Sequence, residues 1–250
     1  MLTARFSVGG REDHGVVDGG VIRRVVGDVF GEFDLADGEF ALDDVRLLAP
    51  VRPSKVLVIG RNYGEATTDD LVVNLKPSTA VIGPGDPVLL PPNAEDVRFE
   101  GELAVVIGAR CRDVSPDDWG SVVHGYTCGN DVTAWDVGLP GGHWTKAKSF
   151  DTFCPLGPWI DTAVDPGDLT IRTTVNGELR QDGSTSQMIR DVGTLVARCS
   201  RLMTLLPGDV ILTGTPAGGG SMRDGDEITV RIGGIGELSH PVRAAATASA

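Results

Sequence analysis

The stretch RFEGELAVVIG, residues 98–108, places two glutamates, Glu100 and Glu102, one residue apart at the head of an apolar run. In an extended chain successive side chains alternate faces, so both carboxylates point the same way. At ~7 Å and an effective dielectric of about 20 they repel by ~2.4 kcal/mol. Such a face is either wet, with the repulsion screened, or it holds a cation. A third carboxylate, Asp131, follows Asn130 in GYTCGND, at the start of what reads as another strand. Three carboxylates without a neighbouring His/Cys cluster make a hard, oxygen-only site that suits Mg²⁺, Mn²⁺ or Ca²⁺ better than zinc. Spacing alone is met more simply by three separate surface acids.

Two further stretches carry chemical groups. In WTKAKSFD, Lys146 and Lys148 point one way from a segment read as extended. A lysine beside a carboxylate-bound cation could hold an anionic substrate or stabilise an oxyanion. A solvated edge strand bearing lysines accounts for them equally well. In VILTGTPAGGG the chain passes from a strand into a Gly-rich turn holding Thr213, Gly214 and Thr215. Such turns let backbone amides approach a ligand closely. It is not a P-loop, since no Gly-Lys-Ser/Thr follows. A plain turn is the commoner explanation.

The elements that must position these groups are mostly strands. With 34 glycines and 5% aromatic residues, many short segments are joined by tight turns. Residues 1–50 read as a small strand-rich domain, with a hairpin at VVDGGVIRRV and acidic turns in FDLADGEFALDDV. Pro50 and Pro53 mark a boundary, because each disfavours helix in the residue before it. Residues 51–245 form the main domain, and 246–250 a frayed tail. One long helix is predicted over about 186–205, from the stripe Ile189, Val192, Val196, Cys199, Met203 and Leu206. A shorter one is predicted at SPDDW with Ser115 as N-cap. Many strands, few helices and no regular βαβ alternation favour a β-rich mixed α/β fold.

Net charge and cysteines exclude some partners. A net charge of −13 argues against nucleic acid and anionic membranes. No apolar run approaches the ~20 residues that span a bilayer, and the N-terminus lacks the apolar stretch of a secretory signal. Four scattered cysteines without a CxxC pair read as free thiols in a cytoplasmic protein.

Taken in order, RFEGELAVVIG, GYTCGNDVTAWD, TKAKSFDTFCPLGP, TVNGELRQDGSTSQMI and LLPGDVILTGTPAG, with LKPSTAVIGPGDPVLLP before them, resemble the fumarylacetoacetate hydrolase superfamily over about residues 50–245. The resemblance implies a β-roll of mixed sheets around a metal site, a small N-terminal domain and a homodimer. It places Mg²⁺ (or Mn²⁺/Ca²⁺) on Glu100, Glu102 and Asp131, the family's lysine on Lys148 and its substrate-contacting threonine on Thr215. Gly214, Asn130 and Tyr63 fall beside these positions. The implied substrate is a 2-oxo acid or 1,3-dicarbonyl compound that chelates the metal through two oxygens, with the metal and a lysine stabilising an enolate.

One motif departs from the family. Its hydrolases carry Asn-Tyr-x-x-His-Ala-x-Glu on a lid, where His and Glu activate water. Here GRNYGEATTDDL keeps Asn62 and Tyr63, but Ala66 stands in the His position and Asp69 in the Glu position. Glu65 or Asp69 could take over part of that role, and His143, just before the TKAK run, could line the pocket. Losing a general base typically removes ~10²–10⁴ in rate. A hydrolase tolerates that poorly; decarboxylation, tautomerisation or cyclisation through an enolate needs no activated water. The expectation is C–C bond cleavage by decarboxylation or hydrolysis. Tautomerase or cyclase chemistry, or a metal-binding pseudoenzyme, stands as the alternative.

Overall fold

The computed structural model describes residues 1–65 and 70–245. Gly19 and Gly20, with φ of +54° and +90°, make the two-residue turn of the first hairpin, in which Asp18 pairs with Val21. Positive φ at both positions matches the turn to the right-handed twist of the flanking strands. Thirteen strands among the described residues join one mixed sheet. Its central run, in order, is Leu2–Val8, Cys154–Asp161, Val123–Asn130, Gly101–Ile107, Val210–Leu212, Lys55–Gly60 and Val72–Pro77. The N-terminal strands therefore extend the main sheet, joined to it where Leu2 and Thr3 pair with Asp161 and Ile160. A five-stranded sheet containing Thr170–Val175, Glu178–Ser184 and Glu227–Ile232 forms a second layer, and a three-stranded patch contains Val97–Phe99 and Thr133–Ala134.

Strand Gly101–Ile107 is buried along its whole length. Leu103, Val105 and Ile107 enter one apolar cluster with Leu195, Val196 and Cys199, while Ala104 and Val106 enter another with Val56, Val58 and Leu156. Burial on both faces is why this stretch reads as a continuous apolar run.

Several local expectations change. The long helix, α3, spans only Val192–Leu202, with Asp191 capping it through a 2.8 Å bond from the Thr194 amide. Residues before it form a one-turn 3₁₀ segment, Thr185–Gln187, and then donate the Ile189 and Arg190 amides to Asn62. Those amides, committed to tertiary partners, cannot join the helix. SPDDW forms turns and a 3₁₀ segment, Trp119–Ser121, instead of an α-helix, because Val122 returns at once to pair with Gly108. His124 lies inside strand Val123–Asn130. The TKAK run is helical: α1 is Trp135–Gly138 and α2 is Trp144–Lys148. Residues two apart on a helix face away from each other, so Lys148 is buried and Lys146 exposed. All four cysteines are free and buried. No helix among the described residues is long and apolar enough to cross a membrane. Ala66, Asp69 and the 246–250 tail lie outside the described residues.

Candidate active site

Strand register brings the chemical groups to one edge of the main sheet. Gly101 pairs with Asn130, so the chain enters one strand where it leaves its neighbour. On the other side Ala104 pairs with Leu212, and Val210–Leu212 runs parallel to Lys55–Gly60. Segments 61–63, 100–102, 130–133 and 213–215 therefore meet. Gly101, between the two glutamates, is pressed against the second sheet: a Cβ there would stand 2.2 Å from Thr173 Oγ1. Its amide donates to Gln181 Oε1 at 2.9 Å and its carbonyl accepts the Thr215 hydroxyl at 2.8 Å. Only glycine lets the backbone approach this closely.

Oxygens of Glu100, Glu102 and Asp131 all lie within 4.8 Å of one another. Asp131 sits just after a long strand, not at the start of one, and its amide donates to the Glu100 carbonyl at 2.9 Å. Glu102 and Asp131 are each 1% exposed, so the repulsion noted in the sequence is not screened by solvent. Two lysines offset it. Lys148 Nζ donates to Thr133 Oγ1 at 2.8 Å and Glu100 Oε2 at 3.2 Å, and contacts Asp131 Oδ2. Lys76, fully buried, stands 2.8 Å from Asp131 Oδ1. Its hydrogen bonds go instead to the carbonyls of Val132 at 2.7 Å, Phe153 at 2.8 Å and Lys148 at 3.0 Å.

The charges respond accordingly. Burial, then the Asp131 and Glu100 charges, push the Glu102 carboxyl well above the usual range. Glu100 is raised chiefly by burial as well. Burial would also raise Asp131, but Lys148 and Lys76 outweigh it and hold its carboxyl low. Burial would lower Lys148; Asp131 and Glu100 outweigh that, so its ammonium is kept charged. Three carboxylates against two ammoniums leave the buried cluster one negative charge in excess when all are ionised.

A divalent ion fits this donor set. Ligand oxygens at about 2.0–2.6 Å from one ion can stand roughly 4–5 Å apart, which the carboxylate spacing meets. Asp131 Oδ1, fully buried, has only the Lys76 ammonium beside it among the described residues, at 2.8 Å, and keeps a further lone pair to offer. An ion with two positive charges would turn the cluster to a net +1, suited to an anionic ligand.

The cleft above the cluster has a volume of about 410 Å³ and is lined by Glu100, Glu102, Asp131, Lys148, Tyr63 and Thr215, among others. Tyr63 points a buried hydroxyl that has no partner among the described residues. Burial and then Glu102 raise its pKa, so it stays protonated. Thr215 uses its proton on Gly101 and accepts from Gln181 Nε2 at 2.8 Å. Gly214 gives its amide to Glu102 Oε2 at 2.8 Å, which orients that carboxylate. Asn130 is fully buried: its Oδ1 accepts the Glu100 amide at 2.9 Å and its Nδ2 donates to His240 Nε2 at 2.9 Å. Burial lowers the His240 pKa to about 4, so this imidazole is neutral and acts as an acceptor. His143 and Glu65 are exposed and outside the cleft lining, so neither stands over the carboxylates; Asp69 lies outside the described residues.

Four features escaped the sequence reading: Lys76, His240, the Asn62 staple and a pair of tryptophans, Trp135 and Trp144, in the cleft wall. Lys76 had one available signal, a lysine beside the proline that ends the mostly apolar strand VVNLKP.

Residues 56–243 match the family model described as fumarylacetoacetate (FAA) hydrolase C-terminal, and residues 1–50 the one described as Rv2993c-like, N-terminal. The chain is 40% identical to oxaloacetate tautomerase FAHD2B, mitochondrial, of Bos taurus, over 80% of this chain and 70% of that protein. The solved structure of 2-hydroxyhepta-2,4-diene-1,7-dioate isomerase from Mycobacterium marinum superposes with a TM-score of 0.95 at 47% identity, covering 99% of this chain and all (100%) of that one. Maleylpyruvate hydrolase of Sphingobium sp. SYK-6, solved with manganese(II) and pyruvate, gives 0.83 at 35% identity over 98% and 100%. With three-quarters of its length matched and its carboxylates gathered at one strand edge, the chain belongs to the fumarylacetoacetate hydrolase family.

Proposed function

We propose that the chain is a divalent-metal-dependent enzyme of enolate chemistry on a 2-oxo acid or 1,3-dicarbonyl compound, with keto–enol tautomerisation as its best-supported reaction. The observation that carries this reading is the buried Glu100–Glu102–Asp131 cluster with Lys148 at its side and no imidazole in the cleft lining among the described residues. Mg²⁺ or Mn²⁺ is the ion we assign; it would supply Lewis acidity toward two substrate oxygens. Support comes from the hard donor set and from the manganese complex of the maleylpyruvate hydrolase.

The chain's own groups perform the rest. Lys148, held charged beside Glu100 and Asp131, faces the negative charge that develops on the substrate oxygen. For enol-to-keto conversion, the enol hydroxyl releases its proton to water. The carbon takes a proton from water, and Tyr63, whose hydroxyl has no partner among the described residues and stays protonated, donates a hydrogen bond to the substrate oxygen. Loss of CO₂ from a β-keto acid would pass through the same charge distribution, so decarboxylation is the second reaction the site supports.

The test is the decay of the enol absorbance of oxaloacetate, with Mg²⁺ and with EDTA. Catalysis should require Mg²⁺, and Lys148→Met should lower kcat about 10²–10³-fold, as for loss of one preorganised donor. A rate with Mg²⁺ no faster than the EDTA control would sink the reading.

A further inference from the structure

We propose that the outer half of the cleft is an aryl-binding wall, and that the natural substrate is a 2-oxo acid whose tail is a flat aromatic group and not a second carboxylate. This rests on the reading of the inner cleft as an oxo-acid site and adds the identity of the tail.

The cavity volume, about 410 Å³, falls within the ~300–1,000 Å³ of sites that take drug-sized ligands. The carboxylates and Lys148 occupy only its floor. Trp135, Trp144 and Leu139 contribute the aromatic and most exposed apolar part of the remaining lining, which also includes Ile59, Val72 and the polar Asn74, and Leu139 is 57% exposed. Trp135 opens α1, four residues after Asp131; Trp144 opens α2, which ends at Lys148. The two indoles are therefore tied in sequence to the groups that do the chemistry. Their ring centroids are 5.0 Å apart at 58°.

The wall is built, not incidental. The Arg98 guanidinium lies 4.5 Å from the Trp135 ring centroid. Asp96 holds that guanidinium, with bonds of 3.0 and 2.6 Å to Oδ2, and the Trp135 amide donates to the Asp96 carbonyl at 2.7 Å. Trp144 lies on Gly138, where a Cβ would stand 2.7 Å from its ring. The missing side chain at Gly138 makes room for the indole. A fixed ring pair left half-exposed beside an open cavity gains when an apolar ligand covers it, and offset or tilted aromatic contacts add to the area term.

Charge points the same way. Lys76, Lys148 and Arg98 already have acidic partners. Arg61 also lines the cleft and has no acidic partner among the described residues, but it is exposed, where solvent screening weakens its hold on a distal carboxylate. It supplies the rival recognition mode that the experiment must separate.

Calorimetric titration of the Mg²⁺-saturated chain with phenylpyruvate, 2-oxobutyrate and 2-oxoglutarate distinguishes the tails on a common oxo-acid head. Phenylpyruvate should bind about tenfold or more tightly than 2-oxobutyrate, and 2-oxoglutarate no more tightly than 2-oxobutyrate. Trp144→Leu, which keeps apolar volume, and Gly138→Ala, which displaces the indole, should each erase most of the phenylpyruvate advantage and leave 2-oxobutyrate affinity unchanged. Equal affinities, an advantage that survives both variants, or a preference for 2-oxoglutarate that disappears in Arg61→Ala would overturn the proposal. Repeating the titrations in EDTA separates the two levels. If affinity for all three acids is indifferent to the metal, the oxo-acid reading of the floor fails, while the ratio between tails still reports on the wall.

Discussion

Glu102 is where the electrostatics of the site are most exposed to test. Its carboxyl is raised by burial and by the neighbouring acids, so without an ion it prefers to be neutral. For an acid raised in the folded state, the stabilising contribution is fully present below the unfolded carboxylate pKa of about 4.3. It is lost as pH rises through the folded value. Metal binding has the opposite slope, since it needs the ionised carboxylate. The Mg²⁺-induced rise in Tm should therefore grow with pH. At a hundredfold excess over Kd the gain is about 2.7 kcal/mol, a shift of roughly 5–10 °C for a chain of this size. Glu102→Gln should abolish that shift and raise the Tm of the metal-free protein at neutral pH, read by thermal melts with Mg²⁺ and with EDTA. A full Mg²⁺ shift in the variant would reject Glu102 as a ligand. The spacing of Glu100 and Glu102 was legible because strand alternation is a local rule. Lys76 was not, because what makes it matter is contact with Asp131, 55 positions away, and with three carbonyls on other segments.

Elements hold the cluster through a few buried cross-links. Lys76 ties strand Val72–Pro77 to the Asp131 turn, the end of α2 and Phe153. Asn62 ties the end of strand Lys55–Gly60 to Thr213, through a 2.8 Å bond, and to both backbone groups of Arg190. Lys76→Met would leave three carbonyls unsatisfied and Asp131 short of one cation. Breaking a buried charge pair from one side costs about 3–5 kcal/mol, so Tm in EDTA should fall by roughly 6–20 °C. A melt within a degree or two of the parent would show that the ammonium is not structural. The Asn62 links also explain why the helix predicted over 186–205 starts late. Its apolar stripe was real at Val192, Val196 and Cys199, all buried. The amides of Ile189 and Arg190 are claimed by Asn62, and a distant partner of that kind leaves no periodic trace. The α2 segment failed in the other direction. A five-residue helix is too short for periodicity to announce, so Lys146 and Lys148 read as neighbours on one face when only Lys148 turns inward.

At the scale of the whole molecule, the question is which enolate reaction the assembled cleft can complete. The sheet edge supplies an acidic triad for an ion, a charged lysine and a protonated tyrosine hydroxyl. It supplies cations and a hydrogen-bond donor, but no imidazole to serve as a base for water in the cleft lining among the described residues: His143 is outside that lining, and His240 is buried behind Asn130 as a neutral acceptor. Hydrolysis of an acylpyruvate needs a hydroxide equivalent delivered to a carbonyl, and missing general-base help costs about 10²–10⁴ in rate. Tautomerisation of the same compound needs only enolate stabilisation and one proton returned to carbon. With acetylpyruvate in heavy-oxygen water and Mg²⁺, the enol signal should therefore equilibrate rapidly. Acetate carrying the heavy label in its new carboxylate oxygen should accumulate at least about a hundredfold more slowly. Oxaloacetate, followed in parallel by CO₂ release, should lose its carboxylate faster than acetylpyruvate is cleaved. Rapid label incorporation would reject this ranking and direct attention to Glu65 or Asp69, the acidic groups nearest in sequence to Tyr63, as the source of the base.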